Sequence, residues 1–113
     1  MPTYLITEPA KLDLRMIWRT IAKDNRTAAN DVLKHLEIYF ETLARSPKIG
    51  RIREEFTEKL YVFSGRKSKW RSSYLIFYRI VNEGIQIIRI IEAHRDVPLS
   101  FLSSSLKYLF LHQ

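Results

Sequence analysis

Apolar positions along the chain fall first into two stripes of helical period and then into short runs of strand character. Tyr4, Leu5 and Ile6 fit a brief opening strand. Thr7 before Glu8 and Pro9 marks a helix start, because proline is tolerated in a first turn where its missing N–H has no helical acceptor to lose. Ala10, Leu14, Ile17, Trp18 and Ile21 recur at steps of three and four and predict a helix running to about Asp24. Asn25 to Thr27 make a turn. Ala28, Ala29, Val32, Leu33, Leu36, Phe40 and Leu43 form a second stripe, which Ser46, Pro47 and Gly50 end. So short a connection makes the two helices antiparallel neighbours, and such a hairpin needs a further hydrophobic surface to cover both stripes.

The second half of the chain provides that surface. Leu60 to Phe63, Ser73 to Val81 and Ile85 to Ile91 read as three strands, rich in β-branched and aromatic residues. Asn82, Glu83 and Gly84 join the last two as a tight hairpin, since Asn and Gly tolerate the backbone angles of such a turn. The expected fold class is α+β: an N-terminal strand and an antiparallel two-helix hairpin packed on an antiparallel β-sheet, followed by a C-terminal helical segment over 99–109. Within residues 99–113, Leu99, Phe101, Leu102, Leu106, Leu109 and Phe110 are too apolar for a free tail. The segment, read as a last helix with a docking strand as the alternative, docks either on the domain or on a partner. Trp18, Phe40, Phe63, Phe77 and Tyr78 are the expected aromatic core.

Composition narrows the function classes. A chain of 113 residues, 46% hydrophobic and 27% charged, is one domain over 1–113, neither a disordered tail nor a membrane protein. It has no apolar run long enough to span a bilayer, and its amino terminus lacks a secretory signal pattern, so a cytoplasmic location is expected. The absence of cysteine excludes disulfides, zinc–thiolate sites and cysteine nucleophiles. His35, His94 and His112 make a poor metal set, and no metal or other cofactor is expected. The formal net charge of +7 is concentrated in the middle of the chain: residues 45–71 hold nine basic and three acidic side chains. A clustered excess of this kind attracts an anionic partner, whether nucleic acid, ribosome or acidic protein.

Particular residues then carry a resemblance. The opening strand with Glu8 and Pro9, the pattern from Ala10 to Trp18, the LAxxPxxG-like helix end from Leu43 to Gly50, the run YLIFYR from Tyr74 to Arg79, and His94-Arg95-Asp96 together resemble the ParE branch of the RelE/ParE toxin superfamily. The similarity spans roughly residues 3 to 97. It implies a small toxin of a bacterial type II toxin–antitoxin module, suppressed by a cognate acidic antitoxin and inhibiting DNA gyrase through its A subunit. The alternative within the superfamily is a metal-independent, ribosome-dependent endoribonuclease acting on mRNA. Such a nuclease needs a base for the 2'-hydroxyl, cations for the phosphate and an acid for the leaving oxygen. In that alternative the candidates are Arg79, Arg89, Glu92 and His94. Against it, Arg95 and Asp96 stand where the nucleolytic branch carries a terminal catalytic Tyr or His-Tyr pair.

The remaining candidates divide between binding and structure. Residues 65–73 read GRKSKWRSS, a longer and more basic stretch than the resemblance leads one to expect. With Arg66, Lys67, Lys69 and Arg71 around Trp70, it has the composition of a phosphate-contacting loop with a stacking aromatic; the structural reading is a solvated hairpin tip whose tryptophan folds back onto the sheet. Arg95 joins this target-binding set. It also pairs with Asp96 in a structural reading, locking the carboxyl end to the sheet. Arg79 and Arg89, on adjacent strands, need an intervening phosphate or a pairing with Glu83, Glu92 or Asp96. Arg51, Arg53 and Lys59 either extend the basic loop into one positive face or scatter over a solvated surface. The resemblance also associates the chain end with the antitoxin groove, which makes Leu99, Leu102, Leu106, Leu109 and Phe110 candidate antitoxin contacts, with core closure as the other reading.

Overall fold

The computed structural model describes residues 3–53, 59–66, 70 and 72–93. The expected C-terminal helix over 99–109 lies outside them. In chain order the elements are strand β1 (Thr3–Ile6), helices α1 (Glu8–Ala22) and α2 (Arg26–Arg45), a 3-10 turn (Pro47–Ile49), and strands β2 (Arg51–Arg53), β3 (Leu60–Gly65), β4 (Ser73–Val81) and β5 (Gly84–Ala93). Both helices start where their local chemistry directs. Pro9 occupies the first turn of α1, and the Asn25 side chain caps α2 by accepting from the Ala28 N–H at 3.0 Å.

The strands form one sheet in the order β1-β5-β4-β3-β2. Three of its pairings are antiparallel, but β1 runs parallel to β5, so the sheet is mixed and not wholly antiparallel as the sequence suggested. Three apolar residues in an opening strand carry no information about direction. That comes from tertiary contacts: Thr3 N–H donates to Glu83 O at 3.0 Å, and Thr7 N–H donates to Ile87 O at 3.1 Å. The sequence reading also omitted β2. Arg-Ile-Arg is too short and too charged to show alternation, and it becomes a strand by pairing with Leu60 to Val62 at the sheet edge.

The helices cover one face. Leu36, Phe40 and Leu43 of α2 pack on Ile76, Tyr78, Ile85, Ile87 and Ile90, whereas α1, which lies along β5, has only Ala10 fully buried. Each large side chain removed from water there contributes about 1.5–3 kcal/mol. Phe40, Phe77 and Tyr78 are fully buried, as expected, and Phe63 packs partly buried against Tyr39. Trp18 departs from expectation. It sits half-buried at the edge of its stripe, donating Nε1–H to Asn30 Oδ1 at 2.8 Å, with the Arg26 guanidinium 5.7 Å from the ring centroid. The opposite sheet face carries a second apolar cluster of Leu60, Val62, Leu75, Phe77, Ile88 and Ala93.

Tyr78 connects the core to the turn after α2. Its hydroxyl donates to Pro47 O at 2.6 Å and accepts the Gly50 N–H at 3.1 Å, while its ring stacks on Tyr61. At the other end of the sheet, Gly84 opens β5 directly beside the Thr3 backbone, and a Cβ there would collide with main-chain atoms that cannot rotate away. Gly84→Ala should therefore force β1 off β5 and destabilise the fold by about 2 kcal/mol or more. Thermal unfolding would report this as a fall in Tm on the order of 10 °C; an unchanged Tm would show that the β1–β5 register is not a fixed constraint.

Candidate functional site

The periodicity of β5 breaks in the middle. Ile85, Ile87 and Ile90 all face the helices, so the inward step lengthens from two residues to three, and the register of β4 against β5 shifts between Phe77 and Tyr78. This is a β-bulge, which twists the strand and re-aims a side chain. The re-aimed residue is Arg89. Its Nε and Nη2 donate to the Asp13 carboxylate of α1 at 2.7 and 2.9 Å, and the Ile90 N–H donates to the same carboxylate at 2.9 Å. Both side chains are about 85% buried, at 15% and 14% exposure.

The partners expected for Arg89 were Glu83, Glu92 or Asp96; the described structure places Asp13 there. Cross-strand adjacency of the two strand arginines also fails, because Arg79 registers with Gln86 and Arg89 with Phe77. Asp13 escapes a search for partners among the charged residues of the sheet, because it lies on a helix remote in sequence. A signal existed, since Asp13 lies three residues after Ala10 and four before Ile17, inside the apolar stripe of α1. A carboxylate at such a position requires a partner on the element beneath it.

The end of the helical hairpin and the beginning of β4 enclose a cleft of about 450 Å³, lined by Asp24, Asn25 and Val32 on the helical side and by Trp70, Tyr74 and Glu92 on the sheet side. Trp70 is folded inward. Its ring meets His35 of α2 edge-on at 6.0 Å and Tyr74 at 5.5 Å, and Arg66 spans the loop by donating from Nε and Nη2 to Trp70 O at 3.3 and 3.1 Å. Glu92 stands opposite Tyr74 on the neighbouring strand. Burial, helped by that carboxylate's charge, pushes the Tyr74 phenol up to about 12. Tyr74 is thus a neutral hydrogen-bonding group near pH 7.

Among the other candidates, Arg79 is half-buried on β4, Arg51 and Lys59 are exposed, and Arg53 is half-buried on the edge strand. Lys67, Lys69, Arg71, His94, Arg95, Asp96, Leu99, Leu102, Leu106, Leu109 and Phe110 lie outside the described residues. Arg66 and Trp70 of the basic loop are brought together; Arg89 and Glu92 are not, the one turned to α1 and the other to the cleft. Among the described residues, no three His, Asp or Glu side chains gather where they could hold a metal ion, and no helix is long and apolar enough to cross a membrane.

Comparison with known proteins bears on this scaffold. The family model described as the ParE toxin of the type II toxin-antitoxin system, parDE, matches residues 4–97. The curated Toxin ParE3 of Caulobacter vibrioides is 27% identical over 92 residues, covering 80% of this chain and 86% of that protein. A solved structure titled as the chromosomal ParDE TA system from P. aeruginosa shares the fold with a TM-score of 0.60 at 21% identity, covering 83% of this chain and 98% of its own.

Two outcomes follow from the geometry. Asp13→Ala leaves the Arg89 guanidinium and the Ile90 N–H buried without their acceptor, and should cost about 3–5 kcal/mol in urea denaturation. Arg89→Ala should cost a similar amount and the double variant clearly less than the sum, whereas additive losses would mean that the two groups are not coupled. In alkaline titration followed by phenolate absorbance, Tyr74 should ionise only near pH 12. Because its folded value is raised, its contribution to stability is complete below the ordinary tyrosine value of about 10 and disappears as pH rises through about 12. Tyr74→Phe should remove that late step, and an unaltered titration curve would contradict the assignment.

Proposed function

The chain belongs to the ParE toxin family of type II toxin–antitoxin systems, and on that footing we propose that it arrests growth by binding DNA gyrase and is kept silent by a cognate antitoxin. The observation that carries this reading is the family match over residues 4–97. The state of the strand residues supports it. Arg89, a phosphate-binding candidate in the nuclease alternative, is occupied by Asp13, and Tyr74 holds its proton far above neutral pH.

Inhibition by binding needs no proton transfer from the toxin. A protein that binds the cleaved gyrase–DNA complex more tightly than the resealed one shifts that equilibrium by the ratio of the two affinities. The chain offers charge for such a complex. Arg45, Lys48, Arg51 and Lys59 are exposed, and they belong to the segment where the basic excess is concentrated. Cations of this kind favour an assembly containing DNA and accelerate encounter with it, in a manner that salt weakens. An acidic antitoxin competes for the same kind of complementarity.

The test is a gyrase supercoiling and cleavage assay beside a ribosome-programmed mRNA assay, each with antitoxin-neutralised protein as control. Supercoiling should be inhibited at stoichiometric toxin, cleaved DNA should accumulate, and mRNA should remain intact. Codon-positioned mRNA cuts with unaffected gyrase would overturn the proposal in favour of the ribosome-dependent nuclease.

A further inference from the structure

We infer that the cleft between the helical hairpin and the start of β4 receives an arginine side chain of another polypeptide, with Asp24 and Glu92 taking the guanidinium and Trp70 and Tyr74 walling it. The charge of the cleft runs against that of the chain. Although the chain carries a formal +7, the charged residues that line this cleft among the described ones are both acidic, Asp24 from the helical side and Glu92 from β5. Both are exposed, so a cation arriving from outside can reach them. The aromatic walls are more enclosed: Tyr74 is 3% exposed and Trp70 half-buried, and their rings stand nearly perpendicular at 77°. Rings set at such an angle suit an organic cation, which is attracted to the negative face of the ring. Arg66 and His35 already hold Trp70 in place, so little ordering remains to oppose binding.

Other ligands fit less well. The N-terminus of α2 opens on the cleft at Asn25 and would favour an anion, but a helix end carries only about half a unit of charge against two full carboxylates. Its Ala28 N–H is moreover taken by the Asn25 side chain. The two carboxylates alone fall short of a metal site, since no third His, Asp or Glu joins them among the described residues. An ammonium group is a compact and strongly hydrated point charge, whereas a guanidinium presents a planar fork to carboxylates and stacks on aromatic faces. Ile21 and Val32 in the same lining suit the methylene stem of an arginine. The cleft's volume of about 450 Å³ lies within the range of sites that enclose small ligands. Arg66 of the chain itself does not compete, because its Nε and Nη2 are engaged by Trp70 O. None of the exposed cations between Arg45 and Lys59 lines the cleft, so the inference does not depend on gyrase as the target.

The test is isothermal calorimetry of the full-length chain with N-acetylarginine methylamide and with the matching citrulline derivative, which keeps the shape and loses the charge. The arginine compound should saturate at one molecule per chain, and the citrulline compound should bind at least about tenfold more weakly. Methylguanidinium, which has the charge but no stem, stands for a free guanidino compound and should also bind more weakly than the arginine derivative. Asp24→Asn combined with Glu92→Gln should lower the affinity for the arginine derivative by about tenfold. Because both side chains are exposed, far-UV circular dichroism and Tm should stay as in the parent chain. Glu8→Gln combined with Glu83→Gln, which removes two exposed carboxylates outside the cleft, should leave the affinity unchanged. In a second measurement, Trp18→Phe makes Trp70 the sole tryptophan, and its fluorescence should change with the same midpoint. The inference fails if the arginine derivative does not saturate, if the citrulline compound binds as well, or if the two carboxylate pairs matter equally. It fails also if Trp70 fluorescence does not respond, or if methylguanidinium binds as tightly, since the stem would then have no place in the cleft.

Discussion

The fold depends on how helix α1 is fastened to the open edge of β5. Strand β1 pairs with β5 only as far as Ile87. From there β5 would present unpaired main-chain groups to solvent or to another strand, the usual liability of a sheet edge. The polypeptide closes the gap with the helix itself. Thr7 donates its hydroxyl to Ile87 O at 2.8 Å, and one turn into the helix Asp13 takes the Ile90 N–H together with the Arg89 guanidinium. A buried ion pair need not add net stability over an apolar contact, since desolvation opposes the Coulombic gain. Here the carboxylate also satisfies a backbone donor freed by the bulge, and the contact fixes one rotation and one translation of α1 on the sheet. Helix α2, joined to α1 by a short capped turn, inherits that placement.

The bulge has a second consequence. By lengthening one inward step, it lets Ile87 and Ile90 both face the helices while Ile88 points the other way, so β5 serves two apolar clusters. A strand with strict alternation would place Ile90 on the same side as Ile88 and split the helix-facing core. Tyr78 plays the complementary part on β4, where its hydroxyl satisfies Pro47 O and Gly50 N–H and thereby sets the direction in which the chain leaves α2 for the edge strand β2. The exposed cations on and around that edge are displayed from a turn that the core itself holds in place.

The function proposed above draws on a division of the positive charge. The arginine at the centre of the sheet is consumed by the fold, whereas the exposed basic residues between Arg45 and Lys59 remain available to a large anionic partner. A nuclease would require the reverse, with cations and proton-transfer groups converging on one atom. The proposed binder needs only a complementary surface on a rigid frame.

The helical hairpin, the three long strands and the aromatic centre at Phe40, Phe77 and Tyr78 are legible in the order of residues, because periods of 3.6 and 2 in side-chain polarity follow from backbone geometry alone. The same order carries the family resemblance, in patterns such as LARSPKIG and YLIFYR. Tertiary structure alone decided the parallel seat of β1, the existence of β2, the inward fold of Trp70 and the partner of Arg89. Each depends on groups remote in sequence: Thr3 with Glu83, Arg53 with Leu60, Trp70 with His35, Asp13 with Arg89. Local propensity says that a buried carboxylate or indole needs a partner, but which one it finds is settled only when packing brings distant elements within reach.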